Sequence, residues 1–236
     1  MRNSTMQKIG LIGGISWVST VDYYRFINEG INQQLGGLNF AECLIYSLNF
    51  DDFQRNNTQG NWAATAQLLT EAGNSLKAAG AKALVLCANT AHAVADQVEQ
   101  AVGLPIIHIV TATAESIHQP GLKKVGLLGT QFTMEMDFYT GKLLQLGIEA
   151  MVPAQQSDRD YIQQTLKEEL GRGIIKPETK AAYLSIINQL IAQGAEGIIL
   201  GCTEIPLLLG QADVAVPVFD TTQIHAAAAV QFMLSQ

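Results

Sequence analysis

The sequence predicts an α/β fold of two lobes related by a pseudo-twofold axis, each a parallel sheet flanked by helices. Two observations lead to this prediction. Short apolar, β-branched runs alternate with longer amphipathic runs, a pattern typical of βα units. In addition, the segment at residues 76–86 reappears as residues 190–200, 114 residues later. Both copies have the pattern of a helix end, a glycine stop and a buried strand.

Four short apolar runs in each half of the chain are predicted to be strands. In the first half they lie near residues 9–12, 43–48, 84–87 and 106–109. In the second half they lie near residues 125–128, 149–152, 198–201 and 216–219. Apolar residues between them recur at helical spacing, as in Trp62, Ala66, Leu69, Ala72 and Leu76, or Tyr183, Ile186, Ile187 and Leu190.

The repeat extends beyond one strand. Residues 8–13 match residues 124–129, and residues 104–108 match residues 216–220. Three matched strands in the same order indicate a duplicated lobe. We therefore expect residues 1–115 with 214–236 to form the first lobe and residues 116–213 the second. The final helix, residues 221–234, follows a strand of the second lobe and is expected to cross back to the first.

Composition excludes several classes of protein. Among 236 residues, 48% are hydrophobic and 15% charged, which is typical of a soluble core. The net charge of -7 is dispersed and argues against a nucleic-acid partner. No run approaches the ~20 apolar residues of a membrane helix, and the polar start, residues 1–6, does not resemble a signal peptide. Three cysteines form no disulfide framework and favour a cytoplasmic location.

The carboxyl ends of parallel strands are where open α/β sheets bind ligands. This rule selects the loops at residues 13–16, 87–92, 129–131 and 201–204. If the lobes face each other, these loops line one interlobe cleft, and backbone N–H groups at the following helix starts favour a bound carboxylate. The small polar candidates for substrate binding are Ser16, Asn89, Thr90, Thr130 and Thr203. The first loop follows a GxxGG pattern, unlike the GxGxxG of a dinucleotide site.

The three cysteines differ in context. Cys202 is followed by Thr203 and Glu204 at a predicted helix start, which favours a lowered thiol pKa and a chemical role. Cys43 lies inside an apolar strand and is expected to be a buried, inert thiol. Cys87 ends a strand, so it is either a core residue or a residue with a direct chemical role.

The histidines give no metal-binding pattern. His92 is either a site residue or a packing residue, and His225, in an Ala-rich helix, is expected to satisfy a buried hydrogen bond. His108 and His118 show no metal spacing with the others, and the chain lacks a CxxC motif. We therefore expect no metal site.

Continuing the repeat without a gap reveals a difference between the two halves. Cys87-Ala88-Asn89-Thr90 falls on Gly201-Cys202-Thr203-Glu204. Ala88, which has no side chain able to carry a proton, therefore occupies the position that corresponds to Cys202.

Four motifs together identify a family. They are residues 10–17 (GLIGGISW), 89–92 (NTAH), 201–204 (GCTE) and 219–226 (FDTTQIHA). With these, essentially the whole chain resembles the cofactor-independent aspartate/glutamate racemase superfamily, and within it the broad amino-acid racemase branch. The resemblance implies a cytoplasmic homodimer that acts on a small amino acid. It also implies two acid/base groups flanking the α-carbon and no pyridoxal cofactor.

The family places its first acid/base residue, cysteine or threonine, directly before the Asn-Thr pair, where this chain has Ala88. Cys202 matches the second acid/base position. Three explanations are open: an engineered variant, a natural one-thiol enzyme like related decarboxylases, or a proton supplied by Cys87. The last is geometrically poor, because adjacent strand residues point to opposite faces.

Substrate side-chain recognition is less well defined. Asn49, Gln54 and Arg55 lie where the family recognises the distal part of its substrate, and Lys167 is either a further candidate or an exposed helix charge. A cation in the cleft favours a dicarboxylic amino acid, and its absence favours a neutral one. The sequence thus predicts an amino-acid racemase with one acid/base position missing. The alternatives are a one-thiol decarboxylase or isomerase of a small dicarboxylate, and an inactive amino-acid-binding homologue.

Overall fold

The computed structural model describes residues 6–235. The chain forms two compact units: one runs to Ile109 and resumes at His225, and the other spans Val110–Ile224. Both units are α/β with a parallel sheet, which confirms the predicted fold class. Residues 1–5, on which the expectation of no signal peptide partly rests, lie outside the described residues.

The first unit contains a three-stranded sheet of order β2-β1-β3, parallel throughout. Its strands are β1 (Ile9–Gly13), β2 (Cys43–Ser47) and β3 (Ala83–Leu86). Its helices are α1 (Trp17–Leu35), α2 (Phe50–Thr58), α3 (Trp62–Ala78) and α4 (Ala95–Val102). A 3-10 turn at Thr90–Val94 precedes α4.

The second unit contains a four-stranded parallel sheet of order β5-β4-β6-β7. Its strands are β4 (Lys124–Gly129), β5 (Glu149–Met151), β6 (Ile198–Gly201) and β7 (Val218–Asp220). The helices from here to the end of the chain are α5 (Ile109–His118), α6 (Gln131–Glu135), α7 (Asp137–Gln145), α8 (Gln156–Glu168), α9 (Pro177–Ala192) and α10 (Thr221–Leu234). Short 3-10 turns lie at Leu170–Arg172, Ile205–Leu207 and Gln211–Asp213.

Both faces of the first sheet are buried, as expected where helices cover a parallel sheet. Alternate strand residues point to opposite sides. Ile12 and Leu84 join the core formed with α3, whereas Leu11 and Val85 join a second core formed with α1 and α10. Four residues of α10 complete that second core: Ala226, Ala229, Val230 and Met233. The expectation that α10 returns to the first unit is therefore confirmed.

Two glycines of the repeat have the same structural role. A Cβ on Gly10 would lie 2.9 Å from Cβ of Leu76 in α3, and a Cβ on Gly126 would lie 3.1 Å from Cδ1 of Leu190 in α9. In each unit a helix packs closely against the strand at its glycine, which has no side chain to separate the two elements. The strand orders β2-β1-β3 and β5-β4-β6 also correspond. Both observations support the duplication inferred from the sequence.

The predicted strand at residues 106–109 is wrong. Only an isolated bridge joins Ile106 to Leu84, and Ile109 already begins α5. The backbone groups that would extend the ladder bind histidines instead: the Ile107 carbonyl accepts from His225, and the Ile109 N–H donates to His92.

The domain boundaries also differ from those expected. β7 pairs with β6, so residues 214–224 belong to the second unit, as do residues 110–115. Among residues 6–235, no helix combines the length and apolar character that crossing a membrane requires.

Candidate active site

The first candidate cluster lies at the carboxyl edge of the first sheet. The register places Ile12 between Tyr46 and Leu86, so the three strands end side by side. Five predicted site residues follow these strand ends within one unit: Ser16, Asn49, Ala88, Asn89 and Thr90. Asn89 and Thr90 are both buried. We call the segment 88–92 the β3 end.

Cys87 and Ala88 lie on opposite sides of the sheet, as the alternation of strand residues requires. Cys87 is fully buried in the core that includes α1 and α10, with its Sγ 3.8 Å from the Val85 carbonyl. Burial, followed by the nearby Cys43, raises the pKa of the Cys87 thiol. Ala88 is partly exposed and packs against the other core. Cys87 is therefore poorly placed to replace a side chain at position 88.

His92 fixes the backbone at Ala88. Its Nε2 accepts the N–H of Ile109 at 3.2 Å, so its ring proton lies on Nδ1, which donates to the Ala88 carbonyl at 3.0 Å. Burial, together with His108 and His225, holds the pKa of His92 well below its usual value. The ring is therefore neutral near pH 7, and it holds the carbonyl of the residue that corresponds to Cys202.

His225 has the structural role that the sequence predicted. Its Nδ1 accepts from the Tyr23 hydroxyl at 2.8 Å and its Nε2 donates to the Ile107 carbonyl. Burial lowers the pKa of His225 to about 4. The centre of the His92 ring lies 5.4 Å from that of the His225 ring and 4.8 Å from that of the His108 ring. His118, in the second unit, contacts the Leu146 carbonyl.

The second candidate cluster lies at the carboxyl edge of the second sheet. Gly129 pairs with Gly201, so Thr130 and Cys202 follow neighbouring strand ends. Thr130 caps α6 by accepting the N–H of Thr133 at 3.3 Å. We call the segment 202–204 the β6 end.

At the β6 end, one carboxylate oxygen binds two side chains. Oε2 of Glu204 accepts from the Cys202 thiol at 2.9 Å and from the Thr203 hydroxyl at 2.8 Å. Burial of the thiol, followed by the charge and hydrogen bond of Glu204, raises the pKa of Cys202 well above its usual value. The arrangement holds a protonated thiol beside a carboxylate.

This geometry corrects the expectation of a lowered thiol pKa. The strand is followed by a three-residue 3-10 turn, Ile205–Leu207, and not by a long helix with a substantial dipole. The backbone N–H groups of Thr203 and Glu204 do favour the thiolate, but burial and the Glu204 carboxylate outweigh them.

The candidates for distal substrate recognition have partners of their own. Arg55 in α2 forms ion pairs with Asp51 and Asp52 of the same helix, and Asn49 donates to Asp52 at 3.1 Å. Gln163 in α8 accepts the N–H of Gln131 at 2.7 Å, which places α8 beside the end of β4. Lys167 is exposed one turn further along α8.

Ser16 is the one non-glycine residue with a left-handed φ among residues 6–235, at 67°. It stands directly before α1, and its carbonyl accepts the hydroxyls of Ser19 and Thr20 at 3.0 and 3.1 Å. Sparsely populated backbone conformations of this kind cluster at functional sites, which agrees with the choice of this loop as a candidate.

Two residues of the second site were missed by sequence reasoning. Gln163 interacts with the loop after β4, and buried Tyr183 forms a hydrogen bond with Thr165 at 3.0 Å. Burial raises the pKa of the Tyr183 phenol, and Cys202 adds to this in the same direction. Neither residue belongs to a sequence motif. Their relation to the cluster arises only from contacts with residues distant in sequence. Within the described part of the chain, no group of three or more His, Cys, Asp or Glu side chains is arranged to hold a metal ion.

Comparison with known proteins gives consistent results. A family model described as Asp/Glu/Hydantoin racemase matches residues 12–229. A broad specificity amino-acid racemase of Bacillus subtilis is 28% identical over 234 residues, covering 96% of this chain and 98% of the relative. The resemblance inferred from the four sequence motifs is thereby confirmed.

Two crystal structures match almost the whole chain. One, of an Asp/Glu racemase candidate from Yersinia pestis, has a TM-score of 0.92 and 49% identity over 98% of this chain and 100% of that one. The other, an aspartate racemase homologue from Pyrococcus horikoshii, has a TM-score of 0.86 and 37% identity over the same shares.

Proposed function

Because the chain belongs to the Asp/Glu/Hydantoin racemase family, we propose that it transfers a proton at the α-carbon of a small free amino acid without a pyridoxal cofactor. The observation that carries the proposal is the contact of Cys202 with Glu204 at the β6 end, within a family motif. We propose that residues of the β3 end and of the β6 end bind the same substrate.

Cys202 is the proton-transfer group in this proposal. As a protonated thiol it is ready to deliver a proton to one face of a carbanion-like centre. To accept the α-proton it must first become a thiolate. A substrate ammonium group close to Glu204 would offset the carboxylate charge that raises the thiol pKa, and so favour the thiolate when substrate is bound.

Ala88 limits the proposed reaction to one face. A racemase removes a proton from one side of the carbon and returns one to the other, and Ala88 has no group for the second side. We therefore propose a poor racemase that still exchanges the α-proton of one enantiomer with solvent. The α-proton is a very weak acid, so the buried polar groups Asn89 and Thr90, with Thr203, are proposed to stabilise the negative charge of the transition state.

The proposed substrate class is aspartate or glutamate, or a broader amino-acid set. Arg55 supports a dicarboxylic substrate, although its guanidinium would have to exchange Asp51 or Asp52 for the substrate carboxylate. Ser16, Asn49, Thr130 and Lys167 complete the proposed binding residues. The name of the Bacillus subtilis relative supports the broader set.

The proposal is tested by proton exchange in heavy water. Each enantiomer of aspartate, glutamate and a panel of neutral amino acids is incubated with the protein, and loss of the α-proton signal is followed by NMR. We expect one enantiomer of a substrate to exchange faster than its configuration inverts. Absence of exchange with every amino acid would contradict the proposal.

Three other functions are open, and the single thiol at the two strand ends favours them. A one-thiol decarboxylase would release carbon dioxide from a small dicarboxylate, and a one-thiol isomerase would convert such a substrate into its isomer. An inactive homologue would bind an amino acid, measured by calorimetry, with no exchange. A cytoplasmic location and a homodimer are also proposed.

A further inference from the structure

Two of the four sequence motifs contain a histidine to which the proposed reaction gives no part. His92 belongs to residues 89–92 and His225 to residues 219–226, and both side chains are buried. The structure brings the centres of their rings to within 5.4 Å of each other. Burial of a polar ring is unfavourable unless its nitrogens form hydrogen bonds. The partners of these nitrogens therefore indicate what the two histidines do.

Both histidines bind the same short segment, residues 107–109. The Ile107 carbonyl accepts from Nε2 of His225, and the Ile109 N–H donates to Nε2 of His92 at 3.2 Å. One side chain comes from α10 and the other from the 3-10 turn before α4. The backbone of the segment is thus held at two points that are only two residues apart.

His92 connects this segment to the start of the β3 end. Its other nitrogen, Nδ1, donates to the Ala88 carbonyl at 3.0 Å, so one ring bridges two backbone groups that are distant in sequence. A neutral imidazole supplies one donor and one acceptor, which is what a carbonyl and an N–H require. An apolar side chain of similar size would fill the space but would make neither bond. Of the two roles that the sequence left open for His92, the bridge favours a site role over packing.

The second half of the chain makes the corresponding link in another way. In the repeat, Ile109 at the start of α5 corresponds to Thr221 at the start of α10. The Thr221 hydroxyl donates directly to the Leu200 carbonyl of β6 at 2.9 Å. The isoleucine side chain has no donor, and His92 supplies the link in the first half, whereas Pro206 stands at its position in the second. Each half therefore ties the start of a helix to the end of a neighbouring strand.

We propose that His92 is a positioning residue within the β3 end. It acts through the Ala88 carbonyl on Asn89 and Thr90, the buried polar groups that are proposed to stabilise the transition state. His225 supports it by fixing the segment to which His92 is bound. The part that this bridge plays in the reaction rests on the proposed function, whereas the ordering of the β3 end by the bridge does not.

Two substitutions separate the bridge from simple packing. His92→Gln keeps an acceptor for the Ile109 N–H, whereas His92→Leu fills the space and makes neither bond. The full-length proteins are compared at pH 7 by α-proton exchange in heavy water, from which kcat and KM are obtained. In His92→Leu we expect kcat/KM to fall by about ten- to a hundredfold, mainly through kcat, because small displacements of positioned groups slow the chemical step. His92→Gln should recover most of this loss.

Ile31→Val is the matched control for lost stability. Ile31 is fully buried in the core that α1 and α10 form in the same unit, and the substitution removes one carbon without removing a hydrogen bond. Circular dichroism melts measure how much stability each variant loses. Ile31→Val should be less stable than the wild type and should keep its kcat/KM. If kcat/KM falls in this control as it does in His92→Leu, general destabilisation explains both and the inference is overturned.

Hydrogen exchange without substrate tests the bridge independently of the reaction. In His92→Leu, the amide of Ile109 should lose protection, and so should the amide of residue 92, which donates to the Asn89 carbonyl at 3.0 Å. The Cys87 amide, bound to the Ile12 carbonyl at 3.0 Å in the sheet, should keep its protection. This result supports the ordering of the β3 end even if no amino acid exchanges its α-proton, an outcome that contradicts the proposed function alone. Unchanged protection at Ile109, or equal catalysis in the wild type and His92→Leu, would overturn the inference.

Discussion

The β3 end and the β6 end occupy corresponding places in the repeat, yet they are stabilised in different ways. At the β3 end, neutral His92 holds the backbone carbonyl of Ala88, and the Ala88 side chain offers only an apolar contact with the core. At the β6 end, Glu204 holds the side chain of Cys202 itself. The comparison shows that the geometry of position 88 depends on backbone contacts. The side chain at position 88 can therefore be replaced without loss of the hydrogen bond from His92 to the backbone.

The largest expected effect concerns the β6 end. Cys202→Ala removes the proposed proton-transfer group, so exchange of the substrate α-proton should fall by about 10²–10⁴-fold. NMR in heavy water measures it. Cys43→Ala, which removes a partly buried thiol from strand β2, is the control and should retain exchange. Similar exchange in wild type and Cys202→Ala would remove Cys202 from the mechanism.

The opposite change at the β3 end should restore activity. In the proposed mechanism, Ala88→Cys or Ala88→Thr adds the missing proton-transfer group to a partly exposed position, and His92 still holds the backbone. Racemisation should rise by up to about 10²–10⁴-fold. Chiral chromatography of aspartate, glutamate and neutral amino acids measures it. If the unaltered protein already racemises well and neither variant changes the rate, position 88 is assigned wrongly and Cys87 must be reconsidered.

A third prediction concerns the charge beside Cys202. Glu204→Gln removes the carboxylate that disfavours the thiolate, so the pKa of Cys202 should fall. Its reaction with iodoacetamide near neutral pH should then accelerate by about three- to fourfold for each pKa unit, because the thiolate fraction rises more than its nucleophilicity falls. Thr203→Val is the control, since it removes a hydrogen bond from the same oxygen but leaves the charge.

Peptide mapping after alkylation separates the cysteines. The unaltered Cys202 should not react faster than Cys43, because burial and Glu204 both raise its pKa, whereas burial alone raises that of Cys43. Fast alkylation of the unaltered Cys202 would mean that the thiolate is favoured without substrate.

The smallest expected effect is on stability. His225 has a pKa of about 4 in the folded protein and about 6.5 when unfolded, so the unfolded chain binds more protons below pH 6.5. The stability that neutral His225 contributes is complete above pH 6.5 and is lost as the pH falls towards 4. At pH 5 the free energy of unfolding should be lower by about 2 kcal/mol from this residue.

His92 should add to this loss in the same direction, because its pKa is also depressed. Urea unfolding at pH 7 and pH 5 measures the change, and His225→Gln should reduce it. His118→Gln, in the second unit, is the control. An equal pH dependence in the wild type and His225→Gln would show that this histidine is not neutral in the fold.

Much of the fold was predictable because short-range patterns determine it. Strands β1 to β6 are located by their apolar runs to within about two residues, and α10 has the expected bounds. The glycines at 10 and 126 were recognisable as a repeat before their packing role was known. The segment at 106–109 was not predictable, because two histidines distant in sequence bind its backbone groups.

The candidate site was predictable in its positions but not in its electrostatics. The positions of Ala88 and Cys202 followed from the predicted strand ends and from the small polar residues beside them. The pKa of Cys202 depends on its burial and on the rotamer of Glu204, which the sequence does not specify. Gln163 and Tyr183 carry no local signal, since their relation to the site arises only from how α8 and α9 pack.

The division of the chain between the units has a consequence for its synthesis. The first unit requires α10 residues after His225 to close one of its two cores, whereas the second unit is complete at Ile224. The ribosome therefore delivers every residue of the second unit before the last residues of the first. Until α10 emerges from the ribosome, Leu11, Ile27 and Val85 lack the α10 side chains that complete their core. The unit whose translation begins first is therefore the unit that completes its core last.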